Sequence, residues 1–135
     1  MGSPDDFLYE YAVVRYVPRV DREEFINIGL VMMCKRRKWM RGEIKLDSER
    51  ILAFDPAANL DFLKRYAAVF TRSDVPQADM PVEERYRWLT AVKSAVLQTS
   101  PSHPGIVCME TAKDTMPYEE VLDAEFERLF RHLVL

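Results

Sequence analysis

The chain has 135 residues, 48% of them apolar and 30% charged, with a formal net charge of −3. That length suits a single domain with a real core, and that composition excludes wholesale disorder. No apolar run approaches the ~20 residues of a bilayer-spanning helix, and the acidic, turn-rich start is unlike a secretion signal.

Met1 to Asp6 reads as a flexible lead, with Met1-Gly2-Ser3 in part an expression remnant. Tyr9 to Val17 (YEYAVVRYV) is rich in aromatic and β-branched residues and predicts a strand, apolar on both faces and therefore central. Pro18 lacks an amide proton and is expected to end its ladder. After the charged connector Arg19 to Glu24, Phe25 to Cys34 predicts a second two-sided apolar strand. Lys35-Arg36-Arg37-Lys38 makes the turn into a third, Trp39 to Leu46. Short loops between successive strands imply antiparallel pairing, hence a three-stranded meander.

The period then changes. Asp55-Pro56 reads as a helix start, followed by Leu60, Leu63, Ala67 and Phe70 at helical spacing. Pro81 opens a second helix, with Glu83 and Glu84 in its first turn and Val82, Tyr86, Leu89, Val92 and Val96 as its buried stripe. Ser100 to Gly105 (SPSHPG) is dense in breakers and reads as loop. Ile106 to Glu110 predicts a short fourth strand. Pro117 opens a last helix, its apolar side formed by Tyr118, Leu122, Phe126, Leu129, Phe130 and Leu133. Strands followed by helices place the chain in the α+β class: an antiparallel sheet of three to four strands packed with three helices, in one domain.

Charge excludes little further. Residues 1–50 carry ten Lys/Arg against nine Asp/Glu, and residues 51–135 nine against thirteen, so neither half has the bulk basicity of a nucleic-acid binder. Cys34 and Cys108, set among apolar neighbours without C-x-x-C spacing, read as core thiols of a reducing compartment, which points to the cytoplasm. No Gly-rich phosphate loop or nucleophile elbow is present, and His103 and His132 lack metal-ligand spacing. No cofactor or metal is expected, and catalysis has no recognisable residue set.

Two features stand out. The first is a polar set inside apolar strands: Arg15 on one face with Tyr11, Val13 and Val17, and Asn27 with Gly29 on the face of Phe25, Val31 and Met33. A partly buried guanidinium needs an acceptor. One reading pairs Arg15 with Glu24 internally, Gly29 giving room to a Tyr or Arg side chain. The other makes Arg15, Tyr16 and Asn27 a pocket for an anion or a peptide carboxylate. The second feature is the basic turn, Lys35, Arg36, Arg37 and Lys38, extended by Arg41 and carrying Trp39. Such a patch is either a solvated hairpin tip or a grip on nucleic acid or an acidic protein.

The stretch Tyr11-Ala-Val-Val-Arg15-Tyr16-Val-Pro18, followed by Glu24-Phe25-Ile-Asn27-Ile-Gly29-Leu-Val31, resembles the opening motif of domain-of-unknown-function family 3037. The pattern R-Y-x-P and then E-F-x-N-x-G matches closely over residues 9–33, and beyond it the broad layout of helices and a late strand agrees. That family comprises small bacterial proteins with no established activity. The resemblance implies an accessory role, with a HipA-like kinase encoded nearby as a partner. The expectation is thus a non-catalytic protein-binding or accessory module. The alternatives are a small enzyme or enzyme component binding an anionic ligand near Arg15, Glu24 and Asn27, and nucleic-acid binding through residues 35–41. Oligomeric state is left open, the meander's apolar edges being compatible with a dimer.

Overall fold

A computed structural model describes residues 7–70, 80–91, 96–107 and 118–135. The lead Met1 to Asp6, Val92, Cys108, the rest of the expected fourth strand to Glu110, and Pro117 lie outside the described residues. The chain forms β1 (Phe7–Arg19), β2 (Glu24–Cys34), β3 (Trp39–Ile44), α1 (Ser48–Phe54), α2 (Leu60–Ala67), α3 (Val82–Thr90), β4 (Leu97–Thr99), β5 (His103–Val107) and α4 (Tyr118–Leu133). Single 3₁₀ turns cover Val20–Arg22 and Ala68–Phe70. The expected α+β class holds, with five antiparallel strands and four helices among the described residues.

The meander forms as its sequence predicts, in the order β3-β2-β1-β4, with β5 also on β1. Its four-residue turn closes with Lys38 N–H on the Lys35 carbonyl at 3.1 Å, and Lys38 takes the left-handed position such a hairpin demands (φ 51°). Pro18 does not end the ladder. β1 absorbs it in a bulge between Tyr16 and Arg19, and Arg19 still pairs with Glu24.

Two corrections concern helix ends. Asp55 closes α1 rather than opening a helix, its N–H bonding the Ile51 carbonyl at 2.7 Å. The capping carboxylate of α1 is Asp47, and the Asn59 side chain caps α2 through Phe62 N–H. Asp55 is occupied elsewhere, as described below. Likewise α3 stops at Thr90, and Val96 leaves the helical stripe to lead into β4, its carbonyl accepting from Val17 N–H at 2.7 Å.

A third correction concerns SPSHPG. His103 to Gly105 belong to β5, paired with β1 from Phe7↔Val107 to Tyr11↔His103. Pro104 survives there because β5 is an outer strand among the described residues, whose outward amides need no partner.

The sheet separates two cores. On one face α4 supplies Val121, Leu122, Phe126, Leu129 and Phe130 against Phe7, Tyr9, Val13, Leu30, Met32 and Cys34. On the other, Ile51, Leu63, Tyr86 and Leu89 from α1, α2 and α3 meet Val14, Tyr16, Ile28, Val31 and Met33. Side-chain ties fix the layers to the sheet. Arg87 of α3 grips the Glu10 carboxylate with two bonds of 2.9 and 2.7 Å, and Lys35 of the turn reaches Glu83 of α3 at 2.8 Å.

Candidate functional site

The polar set of β1 and β2 is built by a second bulge. The register steps from Val14↔Gly29 to Arg15↔Asn27, so Ile28 has no partner of its own. A bulge reverses the faces of one strand beyond it. Leu30, Met32 and Cys34 therefore face α4, whereas Ile28, Val31 and Met33 face the three-helix layer. Asn27 shares no face with Val31 and Met33. It stands beside Arg15 on the α4 side, and Gln98 of β4 lies opposite Arg15 on the other flank.

This row sits just past the end of α4, where terminal carbonyls need donors. Asn27 Nδ2 donates to the Leu133 carbonyl at 3.0 Å. Arg50 of α1 donates to the Val134 carbonyl at 2.8 Å and to the Asn27 carbonyl at 3.0 Å. Arg15 lies over the Phe25 ring at 4.2 Å. Its Nε and the Oδ1 of Asn27 are buried without a hydrogen-bond partner.

The expected Arg15–Glu24 pair does not form. Glu24 is exposed and bonds Arg22 at 2.7 Å instead, because pairing opposite Arg19 carries it beyond the reach of Arg15. Nor does Gly29 make room for a Tyr or Arg. A Cβ there would lie 2.2 Å from Ile44 Cδ1 and 2.6 Å from the Glu43 carbonyl oxygen, so β3 takes the space. Tyr16 points into the other layer, where its hydroxyl donates to Asp55 Oδ2 at 2.5 Å. Burial and that carboxylate push the Tyr16 phenol well above its usual range. Arg15 and Asn27 are thus brought together, and Tyr16 and Glu24 are not.

The basic turn is largely committed. Arg41 has one guanidinium among three carboxylates, Glu43 at 2.9 Å, Asp123 at 3.2 Å and Glu127 at 2.6 Å, and covers the Phe126 ring at 4.4 Å. Arg37 lies over the rings of Phe7 and Tyr118 at 4.8 and 5.5 Å. Lys35 is paired with Glu83. Of the five cations, Arg36 and Lys38 have neither ion pair nor ring contact among the described residues.

A more open surface lies on the three-helix side, around α2. Phe62 and Tyr66, 37% and 43% exposed, pack with ring centroids 4.5 Å apart and planes tilted by 35°, forming a ridge on the helix. A hollow of about 410 Å³ lies on the Phe62 side, bounded by Tyr16, Pro18, Arg19, Asp55 and Asn59. Another, of about 330 Å³, lies on the Tyr66 side, walled by Val69, Phe70, Trp88, Leu89 and Leu97, with Arg65 and Thr99 as its polar members. Both volumes fall in the range of ordinary ligand pockets. Sequence reasoning missed this site, though one signal was present. In LDFLKRYA the aromatics Phe62 and Tyr66 recur four apart, off the buried stripe of Leu63 and Ala67.

A polar chain adjoins it on α3. The Ser102 hydroxyl donates to Glu10 at 3.0 Å and shares a 2.7 Å bond with the Tyr86 hydroxyl. Arg87 above all holds the Glu10 carboxyl below its usual value, and burial pushes the Tyr86 phenol up to about 12. Among the described residues no cluster of three or more His, Cys, Asp or Glu is arranged to hold a metal ion.

A family model described as "Protein of unknown function (DUF3037)" matches residues 11–134, nearly the whole chain. The chain belongs to the DUF3037 family. No curated protein and no solved structure matches it. The DUF3037 match spans the Arg15–Asn27 row, the basic turn and both hollows beside α2, well beyond the opening motif that first suggested the family. No helix among the described residues is long and apolar enough to cross a membrane.

Proposed function

We propose that this DUF3037 protein is a non-catalytic binding module that holds an acidic segment of another protein against α2. The observation that carries this reading is the exposed Phe62–Tyr66 ridge between two hollows. Aromatic side chains beside concave, desolvated pockets supply most of the energy of typical interfaces. Charge favours an acidic partner: Lys64 and Arg65 of α2 have no ion pair among the described residues, and Asp61 is the helix's one acid. A partner side chain of Leu or Phe size fits the apolar hollow, and a carboxylate nearby would meet Arg65. The HipA-like kinase implied by the family resemblance is the first partner to try.

The test is affinity purification from the native host, with cross-linking to locate the contact. The wild type is expected to recover a stoichiometric partner cross-linked at α2, and Phe62→Ser/Tyr66→Ser to lose it. No partner, or one retained by the double variant, overturns the reading.

Two rival readings have less support. An anion beside Arg15 would satisfy the buried Nε, but it would also meet the bare Asn27 Oδ1 and the negative end of α4. Nucleic acid would find two uncommitted cations at the turn, whereas salt-sensitive duplex binders neutralise roughly six to ten phosphates.

A further inference from the structure

Among the described residues β3 is the outermost strand beyond β2, and its bonding pattern shows which groups it leaves open. Lys45 N–H donates to the Ile28 carbonyl at 2.7 Å, and the register runs from Gly29↔Ile44 to Cys34↔Trp39. In an antiparallel ladder, bonded and non-bonded pairs alternate. Trp39, Arg41, Glu43 and Lys45 therefore bond β2, and the N–H and C=O groups of Met40, Gly42 and Ile44 point away from it. Among the described residues nothing pairs with them. An edge of this kind is a template for another strand.

The side chains flanking the edge differ sharply on its two faces. Met40 and Ile44 are partly buried apolar residues of the three-helix core. On the α4 face stand Arg41 and its carboxylates, one positive charge against the three negative charges of Glu43, Asp123 and Glu127. Those carboxylates are 43, 48 and 49% exposed, so the excess negative charge is open to an approaching group.

We propose that the edge of β3, unpaired among the described residues, binds an extended strand of another protein in which apolar and basic residues alternate. Its backbone pairs with Met40, Gly42 and Ile44. Its apolar side chains extend the Met40–Ile44 surface, and its Lys or Arg side chains meet the carboxylates that Arg41 leaves uncompensated. Strand addition of this kind draws affinity from main-chain bonds and specificity from alternate side chains. A second copy of this chain fits less well, because a two-fold axis at Gly42 would bring two such acidic clusters together. The pairing groups belong to β3 and not to the α2 ridge, although Phe70, which walls the Tyr66-side hollow, packs its carbonyl over Gly42.

Fluorescence anisotropy on the full chain tests this with a labelled Val-Lys-Val-Arg-Val-Lys-Val peptide. The same peptide with Glu at the basic positions, and one N-methylated on the edge-facing amides, serve as controls. The basic peptide is expected to bind at least about tenfold more tightly than the acidic one, roughly one charged hydrogen bond's worth. N-methylation should abolish binding. Asp123→Asn/Glu127→Gln, at exposed positions, should weaken it about tenfold while leaving the edge intact. Phe62→Ser/Tyr66→Ser should leave it unchanged, which separates this surface from the α2 reading. Equal binding of the basic and acidic peptides overturns the proposal, as does indifference to N-methylation or to the Asp123/Glu127 changes. Sedimentation showing a dimer that Met40→Pro disperses would assign the edge to self-pairing and overturn it too.

Discussion

The two faces of the sheet solve the same packing problem differently. On one, the 16-residue helix α4 is the one helix among the described residues that covers the apolar side chains, and Asn27 and Arg50 seal its end. On the other, three helices of seven, eight and nine residues share the work, and two hollows stay open, one between α2 and α3 and one between α2 and the end of β1. A long amphipathic helix presents one continuous stripe, whereas several short helices each cover only part of the sheet. The gapped face therefore carries the two hollows beside α2.

Matched core deletions should break or sharpen that contrast most strongly. Leu122→Ala, in the α4 core, is expected to cost about 4–5 kcal/mol, near the top of the range for buried leucines. Leu63→Ala should cost about 2–3 kcal/mol, because Leu63, though buried, borders the larger hollow, into which its surroundings can relax. Urea denaturation of both variants measures the difference, and equal costs would mean that the two faces are packed alike.

The end of α4 provides a smaller effect. Asn27→Ala removes the donor to the Leu133 carbonyl and should lower stability by about 1–3 kcal/mol. A change within error would show that this cap is dispensable and would return Asn27 to the candidates for ligand binding.

The smallest effect is acid sensitivity, to which both faces contribute. Burial pushes the Glu125 carboxyl up, but bonds from Arg128 and Tyr9 outweigh it and leave the group lowered. Glu10 is lowered chiefly by Arg87. A carboxyl whose folded value lies below its ordinary 4.5 adds stability above that pH and loses it as pH falls through the folded value. Thermal melts should therefore decline below pH 4.5, and Glu10→Gln and Glu125→Gln should each flatten the decline. An unchanged profile in both would remove these pairs from the account.

The sequence by itself determined the meander, the α4 stripe and the α+β class, because each rests on a local period that neighbours reinforce. Val13 and Val14 face opposite cores as strand alternation requires, and Leu122, Phe126, Leu129 and Phe130 line one side of α4. It also marked Arg15 and Asn27 as neighbours, though not what they serve. Tertiary structure decided the rest. A one-residue bulge at Ile28 set which face each side chain of β2 joined, and no local pattern announces such a slip. Asp55 read as a helix cap, yet its Oδ1 accepts from Ala57 N–H in a turn, and the hydroxyl of Tyr16, 39 residues away in the chain, claims Oδ2. Arg41 looked like part of a basic patch until α4 brought Asp123 and Glu127 beside it. Charge is written in the sequence, but whether a charge is spent depends on distant chain folding back to meet it.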